Sequence, residues 1–561
     1  MQKRFEPHPR CGTGALPEFT FLNTTAKPMG WNDESLELLW RYNLHYFDYI
    51  NVCGEVESGR NGVSRVEVEK WRKGEGDDFG RVEVEKWRMG EGDDLSRVEV
   101  EKWRKGEGDD DSRVEVEKGR DEVSRGEGER GRKSEDLMER WIDENPRGSF
   151  PGWDPYPTSL RIVNWVKWLN GSRVASFAKA TAAKEHVERV ECSLKEQADW
   201  LVNHIEYHLL ANHLLANAKA LVFAGKYFDR KDWYGKGLSI YRQQLPEQTC
   251  SDGVNFERSP MYHAIIFEDM LDLAEYTDEP LFKDYAARMA DGMRLLTGPD
   301  GKIAKFNDAT EGIAKQPAEL LGRAEKYSRV EVEKWRMGEG SDLGRGEVER
   351  GRRDDISRGE VERGRIDDVG RGEVERGRRS GFLRMEAGEW TLIAKCGEIG
   401  PSYQPGHAHA DTWSFELWKS GKKIVGDTGC STYVAGSIRS YERSTKAHNT
   451  VVIDGRDSSE VWASHRVGRR FDRKRHRREF QLTENGLKGI DYLSGKGEHD
   501  IEVRFHLPPG VDRTAVNINC PGELSWETCE FAEGWNLRES GLCAVYSFRL
   551  TFPSRIEWSI A

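Results

Sequence analysis

Residues 405–417 read PGHAHADTWSFEL, and within them the spacing of apolar side chains changes. Trp413, Phe415 and Leu417 alternate with polar neighbours, the period of a strand with one buried face. The same alternation returns at Ile501, Val503, Phe505 and Leu507, and again at Tyr546, Phe548, Leu550 and Phe552. Lys419-Ser420-Gly421-Lys422 and Asp454-Gly455 are turn signals between such runs. From Gly381 onward the chain therefore predicts an antiparallel β domain. Towards the N-terminus the period is that of a helix. ESLELLWRYNLHYFDYI (34–50), TSLRIVNWVKWLNG (158–171), HLLANHLLANAKALVFAGKYF (208–228) and YHAIIFEDMLDLAEYT (262–277) carry apolar residues three and four apart. Short polar or Gly/Pro connections separate them, which describes helical hairpins in series. The expected architecture is multidomain, α and then β.

Two charged repeat tracts interrupt this pattern. From Ser64 the chain reads SRVEVEKWRKGEGDDF, GRVEVEKWRMGEGDDL and SRVEVEKWRKGEGDDD, and Arg65, Arg81, Arg97 and Arg113 mark its period. A near copy starts at Ser328 and decays towards Ser380. Each unit offers two valines and usually one tryptophan, too little to bury a continuous core. The tracts read as insertions of one mobile sequence, disordered or loosely paired as hairpins. Growing a turn into a tract of roughly 80 residues costs only about 2 kcal/mol of loop closure, so a large domain tolerates it. The expected boundaries are an extension over 1–30, a helical domain over 31–327 interrupted by repeats at 57–134, a repeat tract over 328–380, and the β domain over 381–561.

The 561 residues carry a formal net charge of −12, which supplies no positive field for nonspecific binding to nucleic acid. No run approaches the roughly 18–20 apolar residues of a membrane span. Nine scattered cysteines, an odd number without a C-x-x-C pair, make neither a disulfide scaffold nor a zinc ribbon. The start, MQKRFEPHPRCGTGALPEF, lacks the apolar stretch of a secretory signal. The visible start therefore leaves a cytoplasmic location as one expectation.

Three clusters can carry chemistry. In NHIEYHLLANHLLANAKAL (203–221), His204, His208 and Asn212 recur four apart on one helical face, with Glu206 and His213 on another. This is not the H-E-x-x-H of a zinc helix; the residues either satisfy buried polar groups or touch a substrate through Asn212 and His213. In DGVNFERSPMYHAII (252–266), Glu257, Arg258, Tyr262 and His263 open an apolar helix, an arrangement that either caps the helix or offers a tyrosine for proton transfer. The third cluster joins PGHAHADTWSFEL to KKIVGDTGCSTY (422–433) and RSYERSTKAHNTVVID (439–454). There His407 and His409 fall on one side of a strand mouth. His409, Asp427 and His448 make a zinc-type donor set, unless they are buried structural histidines.

ANHLLANAKAL, FERSPMYH, PGHAHADTWSFEL, VGDTG and RSTKAHNTVVIDG, in this order, resemble the heparinase II/III-like polysaccharide lyases. LWRYNLHYFDYI and RWIDENPRGSFPGWDPYPTSLRIVNWVKWL extend the likeness over nearly all of the chain outside the repeats. The resemblance implies an (α/α) toroid followed by an antiparallel β-sandwich. It implies β-elimination of a uronate-containing acidic polysaccharide, with Asn212, Tyr262 and His407 catalytic beside His213. It also implies a single structural Zn²⁺ on His409, Asp427 and His448, and a periplasmic or cell-envelope location. Glu257, Arg258, Tyr433 and Arg443 are the expected substrate-binding residues. One departure is RRFDRKRHRREF, in the 470–480 region, which looks shortened relative to the family, so that a missing strand would open the sandwich or remove a substrate contact.

The residue types suit the reaction. Removing the C5 proton of a uronate builds charge beside a carboxylate, so that carboxylate must first be neutralised. Asn212, with His213 or Arg258, supplies donors; Tyr262 or His407 takes the proton, and a tyrosine can return one to the departing O4. Which of the two is base depends on the C5 epimer presented. A glycoside hydrolase on the same toroid would instead need two carboxylates flanking the bond, and a repeat-damaged remnant would bind acidic glycan without turnover.

Overall fold

The structure is a computed structural model that describes residues 16–50, 134–171, 181–327, 379–470 and 476–561, with short strands between residues 66 and 87. In the first repeat tract Val66–Glu67 pairs with Lys86–Trp87, and Trp71–Lys73 with Gly80–Val82, both antiparallel. The remainder of both tracts, and what was expected of it, lies outside the described residues. Contacts divide the chain into two compact units.

The first unit comprises Met1–Phe19, Ala26–Ile205 and Phe223–Tyr234. Its helices include Leu38–Tyr46, Pro155–Asn170 and Thr181–Leu201. The expected helix over 34–50 is shorter than its apolar pattern, because Phe47 turns left-handed (φ 59°) and a 3₁₀ turn, Asp48–Ile50, follows. Trp40, Trp141 and Trp165 fill the core around Arg161, which is fully buried. Its guanidinium lies 3.7 Å from the Trp141 ring and donates to Gln197 Oε1 and to the Gly152 carbonyl, both at 2.8 Å.

The second unit comprises Thr20–Thr25, Glu206–Val222 and Gly235–Ala561. Its helices Pro260–Thr277, Pro280–Leu296 and Pro317–Ala324 each begin on a proline, whose missing N–H is no loss in a first turn. Lys219 is buried and reaches Asp269 and Asp272 at 2.6 Å each, while Arg323 reaches Asp272 at 2.7 Å. This charged knot ties three helices together where apolar contact alone would let them slide.

Two antiparallel sheets follow. One runs Lys422–Val425, Phe415–Lys419, Trp390–Lys395, Phe382–Ala387 in spatial order. The other is built on the long pair Gly486–Leu507 and Leu537–Ile560, with Val451–Ile453 and His476–Thr483 beside the first and Glu523–Gly534 beside the second. Trp390, Leu392, Phe415 and Leu417 of one sheet share a buried cluster with Val503, Phe505, Tyr546 and Trp558 of the other, so the sheets form the expected sandwich. The turn at Ser420-Gly421 is a two-residue hairpin with both φ positive (49° and 76°).

Residues 471–475 lie outside the described part. The strand after them, His476–Thr483, pairs along its whole length with Gly486–Leu493. Two charged residues of that arginine-rich stretch are buried beneath the sheet: Arg478 grips Asp491 at 2.6 and 2.9 Å, and His476 reaches Asp491 at 2.6 Å. Trp558 donates to Asp491 at 2.8 Å and stacks on Phe415. Opposite Trp558 sits Gly489, where an added Cβ would stand 2.0 Å from the indole. Among the described residues, no helix is long and apolar enough to cross a membrane. Because the ring is hemmed in, Gly489→Ala is expected to destabilise the sandwich by about 1–3 kcal/mol. Amide hydrogen exchange of the Gly486–Leu507 strand should accelerate correspondingly, and unchanged exchange would contradict this packing.

Candidate active site

The site is assembled from two helix starts, one corner and one loop, all in the second unit. Ser259 caps the helix Pro260–Thr277 by accepting from the Tyr262 N–H at 3.3 Å and donates its own hydroxyl to the Asp308 carbonyl at 2.5 Å. That places Tyr262 in the first turn. The preceding residue, Arg258, is held left-handed (φ 57°), a costly conformation for a long side chain.

Asn212 sits in the first turn of the helix Ala211–Tyr227, after two consecutive left-handed residues, Leu210 and Ala211 (φ 57° and 48°). This break corrects the expected single face: His204 and His208 precede the helix, so they do not share a helical face with Asn212. His204 instead stacks on Trp200. Glu206 anchors the new helix by accepting from Asn217 Nδ2 at 3.0 Å and pairing with His213 Nδ1 at 3.1 Å; its own N–H donates to Asn217 Oδ1 at 2.8 Å.

The corner is Asn307-Asp308, with Asn307 also left-handed (φ 57°). Asn307 Nδ2 donates to the carbonyls of Glu257, Arg258 and Ile399, and its Oδ1 accepts from the buried Lys395 ammonium and the His409 N–H. Asp308 is fully buried. Its carboxylate takes both terminal nitrogens of Arg439, His407 Nδ1 at 2.8 Å and His409 Nε2 at 2.8 Å. Burial works to raise its pKa, but Arg439 and the imidazole donors hold the carboxyl well below the usual range. The alternation of His407 and His409 thus does bring both imidazoles to one side, although they lie in turns and not in a strand.

His407 stacks on Tyr262 with ring centroids 3.8 Å apart. The hydroxyls of Tyr262 and Tyr433 are 3.0 Å apart, and burial pushes the Tyr433 phenol well above its usual range. His407 Nε2 lies 3.5 Å from Glu257 Oε2. Burial raises the Glu257 carboxyl, while His407, His213 and the Asn212 N–H pull it down. His407, His213 and the Asn212 backbone thus gather at the Glu257 carboxyl, while Tyr262 joins them through its stack on His407 and reaches Tyr433 on its other side. Glu257 is itself only 2% exposed, so it supports these groups from behind and is not the substrate contact expected.

Two other expectations need correction for the same reason. Arg258 is buried, donating Nε to the Ser380 carbonyl at 2.8 Å with Glu398 nearby. Arg443 is buried and spends its donors on the carbonyls of Ala408, Trp462, Ala463 and Arg466. Burial and the neighbouring Arg439 lower its pKa to about 10. Both arginines stitch backbone together. The sequence reading missed Asp308 and Arg439, since an Asn-Asp pair reads as a turn. It also missed His465, whose ring packs against those of His407 and Tyr433.

Neutral His409, whose pKa burial lowers to about 3, donates from Nε2 to Asp308, and its Nδ1 is buried without a partner. His448 donates from Nδ1 to Asp427 at 2.8 Å, and its buried Nε2 is likewise without a partner. Two imidazoles backed by carboxylates, each with a free nitrogen, fit a metal. Asp427 turns its oxygens to His448, Ser414 and the Gly429 N–H, which suits a supporting carboxylate better than the direct ligand expected. Asp308, His407 and His465 also bring one ligand atom each within 4.8 Å of one another, although Asp308 is already committed to Arg439.

The Heparinase II/III N-terminus family matches residues 138–330 and the Heparinase II/III-like, C-terminal family residues 370–476, together just over half of the chain. A heparin-sulfate lyase of Bacteroides thetaiotaomicron is 23% identical over 438 residues, covering 68% of this chain and 58% of that protein. A heparin-sulfate lyase of Bacteroides stercoris is 23% identical over 389 residues, covering 61% and 52%. The chain thus spans a little over half the length of these relatives. A solved structure of heparinase III aligns with a TM-score of 0.55 and 18% identity over 78% of this chain and 73% of that one. That likeness concerns the fold, a helical toroid followed by an antiparallel β-sandwich. With both halves matched in order and the sandwich in place, the chain belongs to the heparinase II/III-like family.

Proposed function

We propose that this protein is a polysaccharide lyase that cleaves a uronate-containing acidic polysaccharide by β-elimination. The observation that carries the reading is the stack of Tyr262 on His407, which sets two proton-transfer groups in contact, with the backbone N–H of Asn212 directed at the Glu257 carboxyl beside His407. The names of the relatives support an acidic glycan of the heparan-sulfate type as the first substrate to test.

In this reading Asn212, with His213, donates to the uronate carboxylate and stabilises the charge that develops as C5 loses its proton. Arg258 is not counted among these donors, since it is buried with Nε on the Ser380 carbonyl and Glu398 nearby. Tyr262 and His407 are the two proton carriers, and the epimer at C5 selects which of them is the base. A charged Tyr262 oxygen can only accept, so in that state the Tyr433 phenol, which burial keeps protonated, donates to it and stabilises it. His409 and His448 would hold a metal, and its charge would pin the loop that carries His407. Hydrolysis fits less well, because the nearby carboxyl groups Glu257 and Asp308 are both buried behind the imidazole and cannot flank a glycosidic bond.

The test is ultraviolet absorbance of the conjugated C4=C5 double bond, followed on a panel of uronate polysaccharides. Absorbance should rise with the intact protein and fall by about 10²- to 10⁴-fold in rate for Tyr262→Phe. Product formation undiminished in that variant would overturn the assignment of Tyr262. No unsaturated product from any uronate polymer would favour the non-catalytic glycan-binding alternative. Tyr433→Phe removes one hydrogen bond to a charged oxygen and is expected to slow turnover roughly 10- to 100-fold, as the same assay measures; an unaltered rate would place Tyr433 outside the reaction.

A further inference from the structure

We propose that Asp308 is a positioning residue that fixes the tautomer of His407, with the proton on Nδ1 and the lone pair on Nε2. The inference rests on the lyase reading of the same site. A carboxylate only accepts hydrogen bonds, so the 2.8 Å contact to His407 Nδ1 requires the N–H there. Asp308 cannot swing away from it. Both terminal nitrogens of Arg439 grip its oxygens, and Arg439 is itself anchored to the Ser464 carbonyl. A second hold comes from the backbone, where the Asp308 N–H donates to the His407 carbonyl at 3.1 Å.

The imidazole plane is fixed independently. Tyr262 covers one face of the ring, and His465 meets it edge-on at 5.8 Å. With Nδ1 committed at 2.8 Å, Nε2 is the nitrogen left for proton transfer; the buried Glu257 carboxyl lies 3.5 Å from it, beyond ordinary hydrogen-bond length, and claims no proton there. Asp308 has no exposed surface and so touches no substrate, whereas the His407 side chain keeps 16% of its own. The carboxylate therefore acts on the reaction only through His407. An asparagine at 308 can instead present its amide N–H₂ to Nδ1, which moves the proton to Nε2 and removes the lone pair that would take a C5 proton.

The experiment uses the full chain labelled with ¹⁵N-histidine and multiple-bond ¹H–¹⁵N spectra, with His407 assigned by its disappearance in His407→Gln. The wild-type spectrum should show the Nδ1–H pattern for His407. Asp308→Asn should shift it to the Nε2–H pattern and lower kcat by about 10²- to 10⁴-fold, with KM within a few-fold, on whichever of an iduronate- and a glucuronate-containing polymer uses His407 as the base. A wild-type spectrum with the His407 proton on Nε2 overturns the proposal whether or not Asp308→Asn folds. A folded Asp308→Asn protein with a shifted tautomer and an unchanged kcat overturns it as well. If the tautomer and its shift are as expected but the wild type turns over no uronate polymer, the assignment of Asp308 stands and the lyase reading fails.

Discussion

A carboxylate buried with no exposed surface is costly unless every lone pair is used, and the Asn307-Asp308 corner shows how this fold meets that demand. Asp308 is satisfied by Arg439 and two imidazoles. Asn307 is satisfied by three carbonyls, an ammonium and a backbone N–H. One dipeptide thereby joins the approach to the Pro260–Thr277 helix, which delivers Tyr262, to the 405–410 loop, which delivers His407. Removing either side chain would leave several buried partners unpaired at once, so the corner is both the structural keystone and the frame of the site.

The backbone around the site is held in conformations that side chains resist. Leu210, Ala211, Arg258 and Asn307 all have φ near +50° to +57°. Each adjoins a functional residue: Asn212, Tyr262 through Ser259, and Asp308. Hydrogen bonds from Asn307 to the 257 and 258 carbonyls and the Glu206–Asn217 exchange offset the cost. The elements are thus aimed by strain that neighbouring polar groups stabilise, which is how a site made from separate chain segments keeps contacts as close as the Tyr262–His407 stack.

Much of this was legible in the sequence, for physical reasons. A period of two or of 3.6 survives where one face is buried, so the helices Ala211–Tyr227 and Pro260–Thr277 and parts of the strands Phe415–Lys419, Gly486–Leu507 and Leu537–Ile560 could be placed from apolar spacing, whereas Trp390–Lys395, buried along its whole length, carries no alternation. Tyr262, His407 and Tyr433, singled out by the density of functional groups and by the family resemblance, do lie in contact with one another. What failed was burial of charge. Nothing in the letters distinguishes an arginine that meets a ligand from one that binds carbonyls, and Arg258 and Arg443 proved to be the second kind. Asp308 was overlooked because Asn-Asp is ordinary turn composition, and its partners lie about a hundred residues or more away along the chain. The left-handed pair before Asn212 was hidden because leucine and alanine carry no signal for that conformation.

The central claim is that the Asn212, Tyr262 and His407 arrangement breaks glycosidic bonds by elimination. Elimination adds no water, and hydrolysis adds one. The most direct measurement is therefore mass spectrometry of fragments formed from a heparan-type polysaccharide in ¹⁸O-enriched water. The account predicts fragments whose new non-reducing end is one water lighter than the hydrolysis product, with heavy oxygen entering only by slow exchange at the reducing end. Fragments of full hydrolysis mass, with ¹⁸O fixed at the reducing end from the first turnover, would contradict it and identify a hydrolase on this fold.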